Sequence, residues 1–287
     1  MKLFLLVLFL LQSASNEIII RLVDSNTKEP IPYATVNSRS FYRVTNMYGQ
    51  IQLPGDVDSI SVRCVGYEQR DLRVRDIKSE KGEFTIYLTP KSYSIAELRI
   101  TPTRMNKIPL GYFKEPSFSI YTSCLDGQVA LFFPPDKRSK YIGLPIGTVS
   151  YFIRPTHNFK KKFRVRLYSV SEKDSSPDKD LLPEAVYAHA KRGNSWVNVD
   201  ISKYNIKFPV NGFFAAIEFL PDSVQLTQNY LNTFNTLDLG GNFEDKNNGR
   251  TWGIGKLGRW CKDVPRAKDV IVGNAMIKVE LYKETKK

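Results

Sequence analysis

Residues 17–74 read EIIIRLVDSNTKEPIPYATVNSRSFYRVTNMYGQIQLPGDVDSISVRCVGYEQRDLRV. Short stretches rich in Ile, Val and Tyr alternate there with turn residues such as Glu29-Pro30, Tyr48-Gly49 and Pro54-Gly55. Many short strands at regular spacing are typical of a Greek-key sandwich. We therefore predict about seven strands in a first β-sandwich, with Gly49 at a hairpin position that needs a positive φ.

Four elements of this segment also stand in the order found in a known family. They are Asp-x-x-Thr at 24–27, Pro-x-x-x-Ala-x-Val at 30–36, Thr-Asn-x-x-Gly at 45–49 and Gly-Tyr at 66–67. Residues 16–90 on this basis resemble the carboxypeptidase regulatory-like domain, a transthyretin-like sandwich found in outer-membrane receptors and other envelope proteins of Gram-negative bacteria. The resemblance implies an accessory folding or interaction module.

The same resemblance implies structural roles for its matching residues. Gly49 would form the turn, Ala34 and Val36 would fill the core, and Tyr67 would pack over a sandwich edge. It does not imply peptidase activity, because the chain contains only two histidines, His157 and His189, and lacks the HxxE zinc motif.

The first 15 residues have the three parts of a secretion signal. Lys2 supplies the positive charge, Leu3 to Leu11 form an apolar run, and Ser13-Ala14-Ser15 supplies small residues before a cleavage site. The apolar run is too short to span a bilayer, which takes about 20 residues in a helix. We therefore predict a signal peptide at 1–15, no transmembrane segment after its removal, and a mature protein that is periplasmic, associated with the cell surface or secreted.

Composition predicts a soluble pair of domains. The 287 residues are 42% hydrophobic and 25% charged. Without Lys2 the mature chain has 41 basic against 29 acidic residues, a net charge of +12. The basic residues are spread along the chain and cluster only briefly, at Lys160–Lys162 and Lys283–Lys287. We therefore expect an envelope protein or a polysaccharide as partner, and no nucleic acid.

The second half is predicted to be a jelly-roll-like β-sandwich at 111–287, after a linker at 91–110. About nine segments there are rich in Val, Ile, Phe and Tyr and are separated by polar connectors such as SEKDSSPDKD at 171–180. This half resembles an uncharacterised domain that follows the first module in envelope proteins of the same bacteria, and also carbohydrate-binding jelly rolls. The predicted fold class is therefore all-β throughout.

Residues with catalytic chemistry do not form a recognisable set. The carboxylate pairs Asp178/Asp180 and Glu244/Asp245 lie in polar loops without an apolar wall to shift a pKa. Ser195 and Ser123 lack the Gly-x-Ser-x-Gly turn of a hydrolase. We therefore predict no catalytic residue, no cofactor and no enzymatic activity.

The three cysteines do not have the spacing of a metal site. Cys64 lies in an apolar strand and is predicted to be a small buried side chain. Cys124 and Cys261 lie in the second half, and the sequence leaves open whether they pair. No metal ligand set is predicted.

Aromatic side chains are the remaining candidates for a binding site. Trp252 and Trp260 flank a Gly-rich segment after the polar loop NFEDKNNG, in which Asn242 and Asp245 lie. Exposed tryptophans stack on sugars while Asn and Asp bind hydroxyls, but tryptophans of a sandwich are also often core residues. The sequence thus favours a non-catalytic binding or assembly module of the cell envelope, with a carbohydrate-binding protein as the alternative.

Overall fold

The computed structural model describes residues 18–77, 79–80, 83–91, 105–120, 127–136, 138, 140–155, 159–221, 237–244, 248–254, 258–262 and 273–284. Strands account for 53% of the structure and helix for 3%. Within the described residues, the helical segments are two short 3-10 turns, Val74–Asp76 and Ser202–Tyr204. The predicted all-β sandwich fold is therefore confirmed.

The first sandwich consists of two four-stranded sheets, with strand orders β4-β1-β8-β7 and β3-β2-β5-β6. In the first of these sheets β1 runs parallel to β8 and antiparallel to β4. The strands are β1 (Ile18–Asp24), β2 (Thr35–Asn37), β3 (Tyr42–Val44), β4 (Gln50–Leu53), β5 (Ser59–Arg63), β6 (Arg70–Arg73), β7 (Ser79–Glu80) and β8 (Glu83–Leu88).

Turn chemistry fixes the connections of the first sandwich. Gly49 has φ +71, and a Cβ placed on it would lie 2.6 Å from the carbonyl oxygen of Leu22, so the predicted glycine requirement is confirmed. Asp24 accepts hydrogen bonds from the backbone N–H groups of Asn26 and Thr27, at 2.7 and 3.0 Å, and from the hydroxyl of Tyr67 at 2.8 Å. Tyr67 is thereby tied to the turn after β1.

The second sandwich consists of two seven-stranded sheets. One sheet has the path β10-β18-β12-β22-β9, with β16 beside β12 and β21 beside β18. The other has the path β14-β13-β17-β11-β19-β20, with β15 beside β13. The strands are β9 (Met105–Gly111), β10 (Phe118–Ile120), β11 (Gln128–Phe133), β12 (Ile146–Ile153), β13 (Phe163–Val170), β14 (Pro177–Asp180), β15 (Val186–Ala188), β16 (Ser195–Asp200), β17 (Phe213–Phe219), β18 (Leu239–Asn242), β19 (Thr251–Ile254), β20 (Trp260–Lys262), β21 (Asn274–Ala275) and β22 (Ile277–Glu284).

Alternation along the strands decides which side chains form the core of this sandwich. On β17, Phe213, Ala215 and Ile217 belong to the core between the two sheets. The intervening residues point to the opposite face, because successive side chains of a strand alternate. Both faces of β17 are buried nevertheless, from Phe213 to Phe219. The outer face of this sheet is therefore covered, and the first sandwich provides part of the cover.

The boundary between the halves differs from the expected linker. Residues 105–110 belong to β9, which pairs with β22 along its whole length, from Met105↔Glu284 to Gly111↔Lys278. These residues are therefore part of the second sandwich. The hydrophobic alternation there is interrupted by Asn106, Lys107 and Pro109, which is why the sequence suggests a connector instead of a strand.

Several predictions concern residues outside the described ranges. They are the signal peptide at 1–15, most of the linker, Ser123, Cys124 with its possible disulfide to Cys261, His157 and Asp245. In the described part of the chain, no helix has the length and apolar character needed to cross a membrane.

Candidate functional site

The first sandwich docks against the outer face of the sheet that contains β13, β17 and β11. We call this outer face the docking face. One row of its side chains crosses the sheet from strand to strand, since each residue is the register partner of the next. This row consists of Tyr187, Arg164, Glu218, Gln128, Ile254 and Trp260.

Aromatic and aliphatic contacts join the sandwiches at this row. Tyr42 and Val44 of β3 pack in one buried cluster with Ile254, and Trp260 packs against the same cluster. Tyr33 and Tyr187 lie with their ring centres 5.7 Å apart. The docking therefore buries apolar surface from both halves, the main source of stability for such contacts.

Glu218 is the centre of a buried polar network beneath these contacts. Its side chain is fully buried and forms ion pairs with Arg164, through Nε, and with Arg166, whose Nη1 lies 3.5 Å from Oε2. Gln128 Nε2 donates to Glu218 Oε1 at 3.0 Å and to the Tyr42 hydroxyl at 2.8 Å. A residue of the first sandwich thus completes a network that belongs otherwise to the second.

Arg166 links this network to solvent. It donates from Nη2 to Asp180 at 2.9 Å and from Nε to the hydroxyl of Tyr168 at 2.8 Å, and Tyr168 in turn donates to Gln128 Oε1 at 2.7 Å. The two terminal nitrogens of Arg164 are buried and have no hydrogen-bond partner among the described residues. The other groups of the network, Glu218, Gln128, Arg166 and Tyr168, are held by the hydrogen bonds given above and form a fixed polar floor.

Electrostatics keep the groups of this floor in defined protonation states. Burial alone raises the pKa of Glu218, but Arg164 and Arg166 outweigh that effect, so the pKa lies below the ordinary value and the carboxylate stays ionised. Burial raises the pKa of the Tyr42 hydroxyl well above its ordinary value, with a further contribution from the Glu218 charge. Tyr42 is therefore a neutral donor and acceptor at neutral pH.

An open cleft of about 770 Å³ lies between the two sandwiches beside this network. We call it the interdomain cleft. Its volume lies in the range typical of small-molecule sites, about 300–1,000 Å³. Its walls combine hydrogen-bonding groups with aromatic rings from both sandwiches. From the first come Asn37, Arg63, Cys64, Tyr67 and Gln69, and from the second come Gln128, Arg166, Tyr168, Asp178, Lys179 and Trp260.

Two wall residues show how the cleft differs from a packed interface. The side-chain oxygen of Asn37 is shielded from solvent and has no hydrogen-bond partner among the described residues. A shielded polar atom of this kind is costly unless a water or a ligand group satisfies it. Cys64 follows the end of β5 and is half-buried at the wall, whereas the sequence predicted a small buried side chain inside the strand. Burial raises the pKa of its thiol, which keeps it protonated.

The two predicted tryptophans lie on neighbouring strands of the docking face. Trp260 lines the cleft and packs edge-on to Tyr168, with ring centres 5.7 Å apart. Trp252 packs edge-on to Phe214 at 5.7 Å and is not part of the cleft wall. Both rings are half-buried, so each combines a structural contact with some accessible surface.

The predicted polar partners of these tryptophans are not brought to the cleft. Asn242 is buried on β18, in the opposite sheet, where it donates from Nδ2 to Glu244 at 2.9 Å and accepts from the Glu244 backbone N–H at 3.0 Å. Its amide therefore fixes the chain after β18. Asp245 lies outside the described residues.

Sequence reasoning missed the charged residues at this site. Arg164, Arg166 and Glu218 stand at alternate positions of apolar strands, which is the usual pattern of a sheet with one solvated face. One sequence feature could have indicated that this face is covered. Both strands are unusually apolar at their other outward positions, Phe214 and Ala216 among them. Such a face is more often covered than solvated.

Within the described residues, no group of three His, Cys, Asp or Glu side chains is arranged as a metal site would require. Both carboxylates of the pair Asp178/Asp180 line the cleft, and Asp180 also forms an ion pair with Arg166. The cleft can therefore hold a ligand by hydrogen bonds and ring contacts.

Comparisons with known proteins give little further information. No protein-family model matches the sequence. No curated protein matches it either. Among solved structures, a clostridial cysteine protease, Cwp84 after propeptide cleavage, shows a TM-score of 0.43 and 12% identity over 62% of this chain and 40% of that chain. This chain thus spans less than half of the protease, and a likeness at this level supports no argument about function.

Proposed function

We propose that this protein is a non-catalytic binding or assembly module of the cell envelope, and that its ligand occupies the interdomain cleft. The observation that carries the proposal is the cleft itself, in which two sandwiches contribute hydrogen-bonding and aromatic groups above a polar floor fixed by Glu218. Groups that are held in place before binding lose little conformational freedom when a ligand arrives.

The envelope location rests on the sequence. The three-part signal at 1–15 and the resemblance of residues 16–90 to a module of envelope proteins both favour a periplasmic, surface-associated or secreted protein. Cell fractionation of the native host tests this part, and recovery of the uncleaved chain in the cytoplasm would contradict it.

A carbohydrate is the second candidate ligand, and the position of Trp260 favours it. The ring is partly accessible at the cleft wall, and Gln69 and Asp178 supply hydroxyl-binding groups on the same cleft. Rings of this kind contribute about 1 kcal/mol of contact energy beyond the area that they bury.

Trp260→Ala and Trp252→Ala form a matched pair for testing the cleft. Both changes remove a half-buried indole from the docking face, but only Trp260 lines the cleft. The mature protein and both variants are applied to a glycan array and to solubilised envelope proteins with chemical crosslinking. We expect Trp260→Ala alone to weaken binding, by about fivefold for a loss of ~1 kcal/mol.

Each outcome of this comparison bears on the proposal. Equal losses of binding in both variants would indicate that Trp252 and Trp260 together form the binding surface. The ligand would then not occupy the interdomain cleft. Unchanged binding in both would refute the cleft as well. Release of a modified product from any bound glycan or protein would contradict the non-catalytic role.

A further inference from the structure

A second groove lies on the other sheet of the second sandwich, on the face that points away from the docking face. Its centre is Trp196 on β16, which stands opposite Phe152 on β12 and packs edge-on to it with ring centres 5.4 Å apart. The groove has a volume of about 750 Å³ and is walled by the chain segment from His189 to Asn198. We call it the Trp196 groove.

The wall of this groove is held in one shape. Gly193 passes so close to Pro155 that an added Cβ would lie 2.4 Å from its Cα atom. Asn194 has φ +52, a left-handed conformation that Asn adopts more readily than most residues. The Ser195 hydroxyl donates to the carbonyl of Arg192 at 2.7 Å. A turn with these three constraints presents its side chains in fixed positions.

The charge of the Trp196 groove is positive. Lys191 and Arg192 are exposed along the wall, and the ammonium of Lys278, on β22, lies 4.7 Å from the centre of the Trp196 ring. None of the described residues that line the groove is acidic. Two acidic residues further along the same face are already engaged, since Glu280 pairs with Lys107 at 3.0 Å and Asp200 accepts from the Ser202 backbone N–H at 2.9 Å.

We propose that the Trp196 groove binds an acidic polysaccharide that carries carboxylates. The partly accessible indole provides a surface for the C–H face of a sugar ring. Asn198 provides a donor and an acceptor for hydroxyl groups, and Asn194, whose Oδ1 accepts from Arg154 Nη1 at 3.5 Å, provides a donor. Lys191 and Arg192 come from the wall segment and Lys278 comes from β22, and their positive charges favour a ligand that carries carboxylates. The proposal rests on the role as a binding module, but not on the interdomain cleft.

Direct binding of polygalacturonate oligosaccharides to the mature protein tests this proposal. Neutral dextran oligosaccharides and deacylated lipopolysaccharide are titrated in parallel, at low and at moderate ionic strength. We expect polygalacturonate to bind, dextran to bind at least about tenfold more weakly, and the affinity to fall as salt screens the charges.

Two double variants distinguish specific binding in the groove from the general attraction of an acidic glycan to a basic protein. Lys191→Glu with Arg192→Glu changes the groove, whereas Arg259→Glu with Lys262→Glu makes the same change in net charge at exposed positions on β20 and the turn before it. We expect the groove variant to lose about tenfold or more in affinity and the control to lose less than about twofold. Trp196→Ala should lose about fivefold, while Trp252→Ala, which lies outside both the cleft wall and the groove, should bind polygalacturonate normally. Trp260→Ala is measured beside them.

The proposal is overturned by any of four results. They are equal losses in the two double variants, equal binding of dextran, binding of deacylated lipopolysaccharide alone, and no binding of any acidic glycan. Circular dichroism and thermal melting confirm that each variant folds. If Trp196→Ala does not fold, Asn198→Ala replaces it, because Asn198 is exposed and lines the same groove. Loss of polygalacturonate binding in Trp260→Ala alone would assign the ligand to the interdomain cleft instead.

Discussion

Replacing Glu218 with alanine removes the carboxylate that two buried arginines share. Arg164 is 1% exposed and would then lose its one ion-pair partner among the described residues. Arg166 would keep its bond to Asp180 at 2.9 Å. Most of the loss in folding stability therefore comes from Arg164, because its positive charge is left without a partner in a region with little water.

Loss of one partner of a buried ion pair destabilises proteins by about 3–5 kcal/mol. The hydrogen bonds that Gln128 and Tyr42 make to Glu218 are lost as well, which places the expected value in the upper part of that range. For a domain of the size of the second sandwich, each kcal/mol lowers the melting temperature by roughly 2–4 °C. We therefore expect a decrease of about 10 °C or more.

Urea unfolding followed by tryptophan fluorescence measures this change. Glu280→Ala is the matched control, because its partner Lys107 is largely exposed and such surface pairs contribute under about 1 kcal/mol. Replacing Arg164 and Glu218 together with Met should recover most of the loss, since no unpaired charge then remains at Arg164. A Glu218→Ala variant as stable as the Glu280→Ala control would show that the network is not shielded by the docked first sandwich.

Three further expectations follow from the contacts. Gly49→Val should destabilise the first sandwich by at least about 1 kcal/mol in thermal melting, because a Cβ there approaches the Leu22 carbonyl and φ is positive; a mature protein that melts normally would contradict this. Tyr42→Phe should cost only about 1 kcal/mol, since Gln128 keeps its bond to Glu218; a loss as large as that of Glu218→Ala would indicate that the Tyr42 hydroxyl organises the network. The pKa of Glu218 lies below its ordinary value of 4.5, so its stabilising effect is complete above that pH and declines as the pH falls through the folded-state pKa. The difference in stability between wild type and Glu218→Gln, measured by urea unfolding, should therefore stay constant from about pH 7 to pH 5 and narrow below about pH 4.5, and a difference that stays constant down to about pH 3 would exclude ionised Glu218 as its origin.

Local patterns in the sequence predict the strands and the cores well. Gly49, Ala34 and Val36 have the structural positions that the family resemblance implies, because turn geometry and strand alternation depend on neighbouring residues. The docking face could not be predicted in this way. Tyr42 and Glu218 are 176 residues apart in the chain and meet only because one sandwich lies against the other.

The candidate site was likewise predictable only where it depends on residues that are close in sequence. Trp260 stands out by residue type and does line a cleft, but the cleft is formed with residues of the first sandwich, such as Asn37 and Tyr67. The polar residues near Trp260 in sequence were a poor guide, since Asn242 lies in the opposite sheet. Residues that are close in sequence can lie in opposite sheets, so closeness to Trp260 in the sequence did not identify the polar residues of its site.

The core of the second sandwich and its docking face are alternate residues of the same strands. On β13, Val165 and Leu167 face the core, while Arg164 and Arg166 face the first sandwich. An insertion of one residue in β13 would exchange these sets and would place guanidinium groups in the apolar core. Strand lengths here can therefore change during evolution only in steps of two residues, or where a bulge absorbs the extra residue. The spacing of these arginines along β13 should therefore be constrained as strictly as the spacing of the core residues.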